Sequence, residues 1–362
     1  MKKLRLLELA GSYYEMGYAH GQKFADEIRM FAEDRVALTA SGQWTGHPLT
    51  AREVIGVAEA MVPLHQAYAP ELMEELQGTA DATGVSIPEL IIVNGFTDFV
   101  DTVYTVARRQ PEPVVDMDPH DDCTAFLIPD AVTAEGAGFF GQTWDMHDSA
   151  TPYVMLLRVS PNEGPSSLLF TITGCVGMIG MNSAGIAVGI NNLLGGDGQI
   201  GVTWTFVVRK ALQQTNLEDA LACIMDADLA GAHNYQIYDK HNRGYNIEAM
   251  STHKHVTPLD GQVIAHTNHC LLAETIALCR PRHPDSQLNS ESRLAAAYRL
   301  TEKGKVTLDD LIALTGHEDV VAVPSEPFHV ETCGAAIMQP RTGRFWAAWG
   351  NPAATEYEEF TV

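Results

Sequence analysis

The segment DDCTAFLIP, residues 121–129, places a cysteine where its thiol alone is a poor nucleophile. Asp121 and Asp122 stand directly before Cys123, and nearby negative charge disfavours the thiolate. If the bond between Asp122 and Cys123 is cut, Cys123 begins a new chain. Its α-amine, with a reference pKa of about 7.7 to 8.0, can then serve as the general base for its own thiol. This arrangement predicts an amine-terminal nucleophile; the alternative is that Cys123 is a small buried core residue.

Such a site needs an accessible segment before Cys123 and a rigid element after it. Residues 108–122 contain three prolines and, from Glu112 onward, five acids and no base. Proline lacks a backbone donor and like charges repel, so this stretch favours a surface linker over a helix or central strand. The apolar run that follows Cys123 predicts a strand.

The sequence predicts different secondary structure before and after this linker. Before it, the first 104 residues are predicted to be helical, and three capping boxes indicate where helices begin. They lie at Ser12 and Glu15, Thr50 and Glu53, and Ser86 and Glu89. Gly17 and Gly21, four residues apart on one helix face, would let another element pack closely. After Cys123 the sequence predicts grouped strands and helices, with hairpins at 182–185 and 242–244, and hence an α+β fold with helices over antiparallel sheets.

Composition restricts the partners. The chain has 46 acidic and 23 basic residues among 362, a formal charge of -23, which repels nucleic acid and anionic membrane surfaces. No apolar run reaches the length of a membrane helix, and Arg5 and Glu8 interrupt the N-terminal apolar stretch, so we expect a cytoplasmic protein. The six cysteines lack CxxC spacing and are expected to be reduced. We expect neither metal nor cofactor, and a homo-oligomer stays open.

Four motifs together resemble a known family. GSYYEMGYAHGQ, CTAFLIP with GQTWD, MIGMNSAGIAVGINNL and HTNHCLL occur in this order over roughly residues 7 to 350. They are similar to those of the acyl-coenzyme A:6-aminopenicillanic acid acyltransferase (isopenicillin N acyltransferase) family of amine-terminal-nucleophile (Ntn) cysteine hydrolases. The resemblance implies a four-layer αββα sandwich with an N-terminal helical segment. Cleavage would divide the chain into residues 1–122, the helical segment and linker, and 123–362, the sandwich core.

The resemblance also implies roles for individual residues. Cys123 matches the nucleophile released by self-cleavage after Asp122. Asp145, which closes GQTWD, matches an aspartate whose carboxylate can hydrogen-bond the freed amine. Asn268, in HTNHC, matches an oxyanion-hole asparagine whose amide can donate to the tetrahedral intermediate. Asn191, in GINNLL, matches a second asparagine that supports this site.

Other residues carry weaker implications. Arg293 matches a family arginine at a helix start, as a structural or substrate contact. His266 and His269 have HxxH spacing, but no third ligand is suggested, so a metal site is not expected. Cys270 is a rival nucleophile, although bulky neighbours favour a packed thiol.

The chain also departs from the acyltransferase pattern. That enzyme has glycine before its nucleophile where this chain has Asp122, and a side chain there restricts the strained conformation that favours rearrangement. Thr332 and Cys333 replace a serine–arginine pair, so one cation of the site is missing. Penicillin chemistry therefore does not follow from the resemblance.

The sequence predicts a self-processing cysteine amidohydrolase that cleaves a small linear amide through a Cys123 thioester. The acidic composition favours an amine-bearing substrate. One alternative is an acyl-coenzyme A-dependent N-acyltransferase, which needs a basic patch for the nucleotide phosphates, and Arg108 with Arg109 is the main basic cluster. The other alternative is an uncleaved, catalytically silent member of the family.

Overall fold

A computed structural model describes residues 4–107, 123–302, 304–324 and 327–362. Its helices are α1 (Tyr13–Lys23), α2 (Ala25–Ser41), α3 (Ala51–Tyr68), α4 (Pro70–Thr83), α5 (Ile87–Val93), α6 (Phe96–Ala107), α7 (Trp204–Ala211), α8 (Leu217–Met225), α9 (Ala273–Ile276), α10 (Pro284–Thr301) and α11 (Leu308–Thr315). Its strands are β1 (Leu6–Gly11), β2 (Ala125–Ile128), β3 (Phe139–His147), β4 (Val154–Pro161), β5 (Ser167–Ile172), β6 (Ile179–Asn182), β7 (Ile186–Asn192), β8 (His233–Asp239), β9 (Gly244–Ala249), β10 (Lys254–Pro258), β11 (Ile264–His266), β12 (Val330–Gln339), β13 (Arg344–Trp349) and β14 (Glu358–Thr361). In this part of the chain, each helix is too short or too polar to cross a bilayer.

The N-terminal helices begin where the capping boxes predict. Ser12, Thr50 and Ser86 each accept a hydrogen bond from the backbone N–H of the glutamate three residues later, and that glutamate accepts one in return. The expectation of helix throughout this region is wrong for Leu6–Gly11, which forms β1 and pairs in parallel with β4. Its six residues are too few to show a clear period, and its partner is distant in sequence.

Helices α1 and α4 pack at the short distance that their glycines permit. A Cβ at Gly17 would lie 1.8 Å from the carbonyl oxygen of Glu75, and one at Gly78 would lie 2.2 Å from that of Tyr14. Gly21 also faces α4, where a Cβ would lie 2.9 Å from a backbone oxygen. The predicted packing role of Gly17 and Gly21 is confirmed.

The described residues after Cys123 form most of two sheets. The first has the strand order β1-β4-β5-β6-β7-β8-β9-β10, and the second has the order β11-β2-β3-β12-β13-β14. Neighbouring strands are antiparallel except β1 and β4. Gly185 and Asn242 turn the two predicted hairpins with φ values of 83° and 63°, in the left-handed region that tight turns require. Both hairpins are confirmed.

The sheets pack face to face, and helices cover their outer faces. Trp144 of β3 and Phe170 of β5 meet between the sheets, with ring centroids 6.4 Å apart. On the outer face of the second sheet, Phe126 packs with Ala297 of α10 and Leu311 of α11. Helices α7 and α8 contact β7 and β8 of the first sheet. This αββα arrangement with an N-terminal helical segment is the predicted fold class.

A buried ion pair joins the N-terminal helices to the sandwich. The Nη2 of Arg209, on α7, lies 3.1 Å from the Oε2 of Glu75, on α4, and these side chains are 1 % and 3 % exposed. The Nε of Arg209 donates to the carbonyl oxygen of Val176 at 3.1 Å. Burial raises the pKa of the Glu75 carboxyl, and the Arg209 guanidinium opposes that rise. Because an unpaired charge at this depth is costly, the pair ties the two regions together.

We expect Arg209→Met to lower the free energy of unfolding by about 3–5 kcal/mol, because Glu75 would lose the cation that compensates its burial. Urea denaturation followed by circular dichroism measures this change. Arg344→Met is the control: it removes an exposed pair with Glu359 and should cost less than about 1 kcal/mol. Equal stability of Arg209→Met and the unaltered chain would contradict the account of this pair.

Candidate active site

Cys123 lies two residues before β2, and hydrogen bonds between Thr124 and Thr143 pair this part of the chain with β3. The N–H of Thr143 donates to the carbonyl oxygen of Thr124 at 2.9 Å, and the N–H of Thr124 donates to the Oγ1 of Thr143 at 3.1 Å. This pairing sets Cys123 beside Asp145. The Asp145 N–H donates to the Cys123 Sγ at 3.3 Å, and the thiol lies 3.7 Å from the Asp145 carbonyl oxygen. Cys123 and Asp145 are 3 % and 1 % exposed, so the structure brings the two together in a dry environment.

Arg293 reaches the Cys123 segment from α10. Its Nη1 donates to the carbonyl oxygen of Cys123 at 2.5 Å and to the Oγ1 of Thr124 at 3.2 Å. Its Nη2 donates to the Oδ1 of Asn268 at 3.0 Å, and its Nε donates to the Oδ1 of Asn289 at 2.6 Å. One planar guanidinium therefore contacts both the predicted nucleophile and the predicted oxyanion donor.

Asn268 is fixed from several directions. Its backbone N–H donates to the Oγ of Ser290 at 3.0 Å, and its Nδ2 donates to the carbonyl oxygen of Asn192 at 3.0 Å. Its Oδ1 accepts from Arg293, and its carbonyl oxygen accepts from Arg282. An amide nitrogen carries two N–H donors, and the described residues engage one of those of Asn268. The second has no acceptor among the described residues, and it lies on a fully buried side chain whose orientation is already set.

Glu248, on β9, holds the segment on both sides of Asn268. Its Oε1 accepts from the Nε2 of His266 at 2.9 Å and from the N–H of Leu271 at 2.7 Å, and its Oε2 accepts from the hydroxyl of Thr275. The Nδ1 of His266 lies 2.8 Å from the carbonyl oxygen of Thr267. The imidazole is therefore held between the Glu248 carboxylate and the backbone of its own segment.

Asn191 lies one contact away from this group. Its Nδ2 donates to the carbonyl oxygen of His266 at 3.2 Å and to the Oδ1 of Asn234 at 3.1 Å. Its Oδ1 has no hydrogen-bond partner among the described residues. Asn191 therefore supports the strand that leads into Asn268, and its side chain bonds Asn234 and His266 and not Cys123 among the described residues.

His266 and His269, the two histidines with HxxH spacing, contact different side chains. His266 binds Glu248, whereas the Nδ1 of His269 lies 2.7 Å from the Oγ of Ser290. Burial lowers the pKa of His269 to about 4. Within the described ranges, no three His, Cys, Asp or Glu side chains are grouped so that they could hold a metal ion.

Sequence reasoning missed Ser290 and the contacts that Glu248 and Asn192 make. Ser290 lies three residues before the predicted Arg293 on α10 and shares its face, a spacing that could have paired the two. Glu248 and the carbonyl oxygen of Asn192 belong to the first sheet, and their contact with the Asn268 segment depends on sheet packing that no local pattern reveals. Asp122, and with it the predicted scissile bond, lies outside the described residues.

A small cavity of about 30 Å³ lies beside β3. Trp144 and Met146, the neighbours of Asp145 in sequence, line it together with aromatic side chains that include Phe31 and Phe96. Arg35 also lines it, with its guanidinium carbon 4.7 Å from the ring centroid of Phe31 and 5.0 Å from that of Phe96. The cavity is thus mostly apolar, with one buried cation.

Comparison with known proteins gives a family match over more than half of the chain. The family model described as acyl-coenzyme A:6-aminopenicillanic acid acyl-transferase matches residues 132–354. An Emericella nidulans protein named acyl-coenzyme A:6-aminopenicillanic-acid-acyltransferase 40 kDa form is 26% identical over 268 residues, covering 72% of this chain and 68% of that protein. An uncharacterised Archaeoglobus fulgidus protein is 26% identical over 197 residues, covering 51% and 32%.

Two solved structures are also similar. A variant of conjugated bile acid hydrolase from Clostridium perfringens has a TM-score of 0.46 and 12% identity, covering 66% of this chain and 97% of that one. Penicillin V acylase from Agrobacterium tumefaciens has a TM-score of 0.41 and 10% identity, covering 66% and 86%. The matched residues of the family model include Asp145, Asn191, Asn268 and Arg293 and begin after Cys123.

We expect Glu248→Gln to lower the free energy of unfolding at pH 7 by about 1.5–3 kcal/mol, because charge-assisted hydrogen bonds are lost. Burial raises the pKa of the Glu248 carboxyl, but the bonds from His266, Thr275 and Leu271 outweigh burial, and the resulting pKa lies below its usual value. A carboxyl whose pKa is lower in the folded than in the unfolded chain stabilises the folded protein at pH values above the unfolded-state pKa. This stabilisation disappears as the pH falls through the folded-state pKa.

The stability difference between Glu248→Gln and the unaltered chain should therefore hold from pH 7 to about pH 5 and shrink below about pH 4. Urea denaturation at a series of pH values measures it. Glu274→Gln, an exposed change on the same segment, is the control and should leave stability nearly unchanged. A difference that widens on acidification would show that folding raises the pKa of the Glu248 carboxyl instead of lowering it.

Proposed function

This chain belongs to the acyl-coenzyme A:6-aminopenicillanic acid acyl-transferase family, and from that premise we propose that it is a self-processing cysteine amidohydrolase of small linear amides. The family match and the relative named as an acyltransferase indicate that the chain is an enzyme that cleaves amides or transfers acyl groups. One observation carries the finer assignment. The Cys123 Sγ lies 3.3 Å from the Asp145 nitrogen, and Arg293 joins the same cysteine to Asn268.

The first step is cleavage of the bond before Cys123. The thiol of Cys123 attacks the carbonyl carbon of Asp122, the C–N bond breaks, and the nitrogen takes up a proton. A thioester then links Asp122 to the Cys123 sulfur. Water hydrolyses this thioester, which leaves a carboxylate on Asp122 and a free thiol and α-amine on Cys123. The pairing of Thr124 with Thr143 holds the cysteine while the preceding bond breaks.

Turnover uses the groups that cleavage exposes. The α-amine of Cys123 takes the thiol proton as sulfur attacks the substrate carbonyl, and the Asp145 carboxylate holds that amine in place. The available N–H of the Asn268 amide donates to the oxyanion. The protonated amine then gives its proton to the leaving nitrogen, the C–N bond breaks, and water resolves the thioester with the amine again as base.

One property bears on the substrate class. The charge of -23 favours a cationic, amine-bearing substrate. A panel of aminoacyl and aryl-acyl amides tests this class directly, and turnover restricted to neutral amides would overturn it.

The name of the family favours a second candidate, N-acyl transfer from an acyl-coenzyme A. Both reactions pass through the same thioester, and they differ in whether water or an amine resolves it. Product analysis with and without an amine acceptor separates them: free acid in both samples supports the hydrolase, and acylated amine supports the transferase.

We expect Cys123→Ala to reduce amide turnover to background, because it removes the nucleophile. Liquid chromatography of the released amine measures turnover. Cys223→Ala is the matched control, since that thiol lies on α8 against the carbonyl oxygen of Lys210 and burial raises its pKa to about 11. It should keep turnover near that of the unaltered chain. Full activity of Cys123→Ala would refute the proposed function.

A further inference from the structure

Two thiols lie in contact on the segment that carries Asn268. The Sγ atoms of Cys270 and Cys279 are 3.3 Å apart. Cys270 is 7 % exposed and Cys279 is half-buried, so an oxidant can reach the pair from the Cys279 side. A disulfide has a sulfur–sulfur distance of about 2.05 Å, so the two atoms need to approach by only about 1.2 Å. Neither thiol takes part in the proposed amide cleavage.

The two thiols differ in reactivity. Hydrogen bonding within the pair lowers the pKa of the Cys279 thiol and raises that of Cys270. The more exposed sulfur is therefore the one with more thiolate character, which is the form that attacks peroxides and disulfides. Cys223 is also half-buried, but it contacts a backbone carbonyl oxygen at 3.8 Å, and burial raises its pKa to about 11.

We propose that Cys270 and Cys279 form a reversible oxidation site, which a peroxide or a low-molecular-weight disulfide converts to an intramolecular disulfide. With hydrogen peroxide, the Cys279 thiolate attacks one oxygen, the O–O bond breaks, and a sulfenic acid forms with release of hydroxide, which takes up a proton. The Cys270 thiol then attacks the sulfenic sulfur and displaces water. The two thiols lose two protons and two electrons, and the peroxide becomes two waters.

The new bond would act on the oxyanion donor through the backbone. Cys270 is two residues after Asn268. The residues on either side of Cys279 pair with the segment after β7: Gly196 N–H donates to Leu278 O at 2.8 Å, and Arg280 N–H donates to Leu194 O at 3.1 Å. That segment directly follows Asn192, whose carbonyl oxygen holds the Asn268 amide. A disulfide therefore links the two segments that orient Asn268.

This consequence for catalysis rests on the proposed function. A displacement near 1 Å at a catalytic group lowers rates by up to about 100-fold, so we expect oxidation to reduce amide turnover by about 10- to 100-fold and dithiothreitol to restore it. The disulfide itself is independent of any substrate.

The test treats the reduced full chain with hydrogen peroxide or oxidised glutathione, blocks remaining thiols with iodoacetamide, and maps peptides by mass spectrometry. The expected product is a Cys270–Cys279 linkage, about 2 Da lighter than the dithiol, that dithiothreitol reverses. Cys279→Ser should prevent it. Cys223→Ser, which removes a half-buried thiol elsewhere, should form the linkage to the same extent as the unaltered chain.

The possible outcomes distinguish the oxidation site, its effect on Asn268 and the proposed function from one another. Complete alkylation of both Cys270 and Cys279 after oxidant treatment would overturn the proposal, as would pairing of either with a different cysteine. If the linkage forms but oxidation lowers turnover equally in the unaltered chain and in Cys279→Ser, the effect on Asn268 is wrong and oxidation of Cys123 accounts for the loss. If the linkage forms and no sample turns over an amide, the oxidation site stands and the proposed function fails.

Discussion

The site depends on one guanidinium. Arg293 bonds the carbonyl oxygen of Cys123, the hydroxyl of Thr124 and the side chain of Asn268, and so joins the start of β2 to the segment after β11. Its plane is set by Asn289, one helical turn before it on α10. Because guanidinium donors have fixed directions, this arrangement sets the relative positions of the proposed nucleophile and oxyanion donor before a substrate arrives.

A residue of the first sheet also fixes the position of the Asn268 segment. Glu248 binds His266, Leu271 and Thr275, so a single carboxylate holds the segment before and after Asn268. A buried polar group is stable only where its bonds are satisfied, and a satisfied network specifies one arrangement. The same network explains why the Cys270–Cys279 pair lies close to the chemistry: both thiols belong to the segment that this carboxylate anchors.

The main elements could be predicted from the sequence because their signals are local, whereas the candidate residues came from the resemblance to a family. The three capping boxes, the close packing at Gly17 and the turns at Gly185 and Asn242 each depend on a few neighbouring residues, and all are present in the structure. The identity of the fold came from a resemblance of four motifs. Strand grouping alone indicated helices over antiparallel sheets and left the αββα order open.

The remaining features depend on contacts between distant segments. β1 pairs with a strand far along the chain. Its six residues are too few to show the alternation typical of a strand, and the capping box at Ser12 directly after them indicates a helix. Arg293 was expected to be a structural or substrate contact, but its bond to the Cys123 carbonyl requires α10 to cover the outer face of the second sheet. The contacts of Glu248 could not be predicted, because its three partners come from a strand of the other sheet, from a loop and from α9.

The proposed chemistry requires a free amino group beside the sulfur of residue 123. Intact-mass measurement and N-terminal sequencing of catalytically active material detect that group. We expect two fragments whose masses sum to 39.4 kDa plus one water, the second beginning Cys-Thr-Ala-Phe. A single uncut species of 39.4 kDa with full amide turnover would contradict the proposed chemistry.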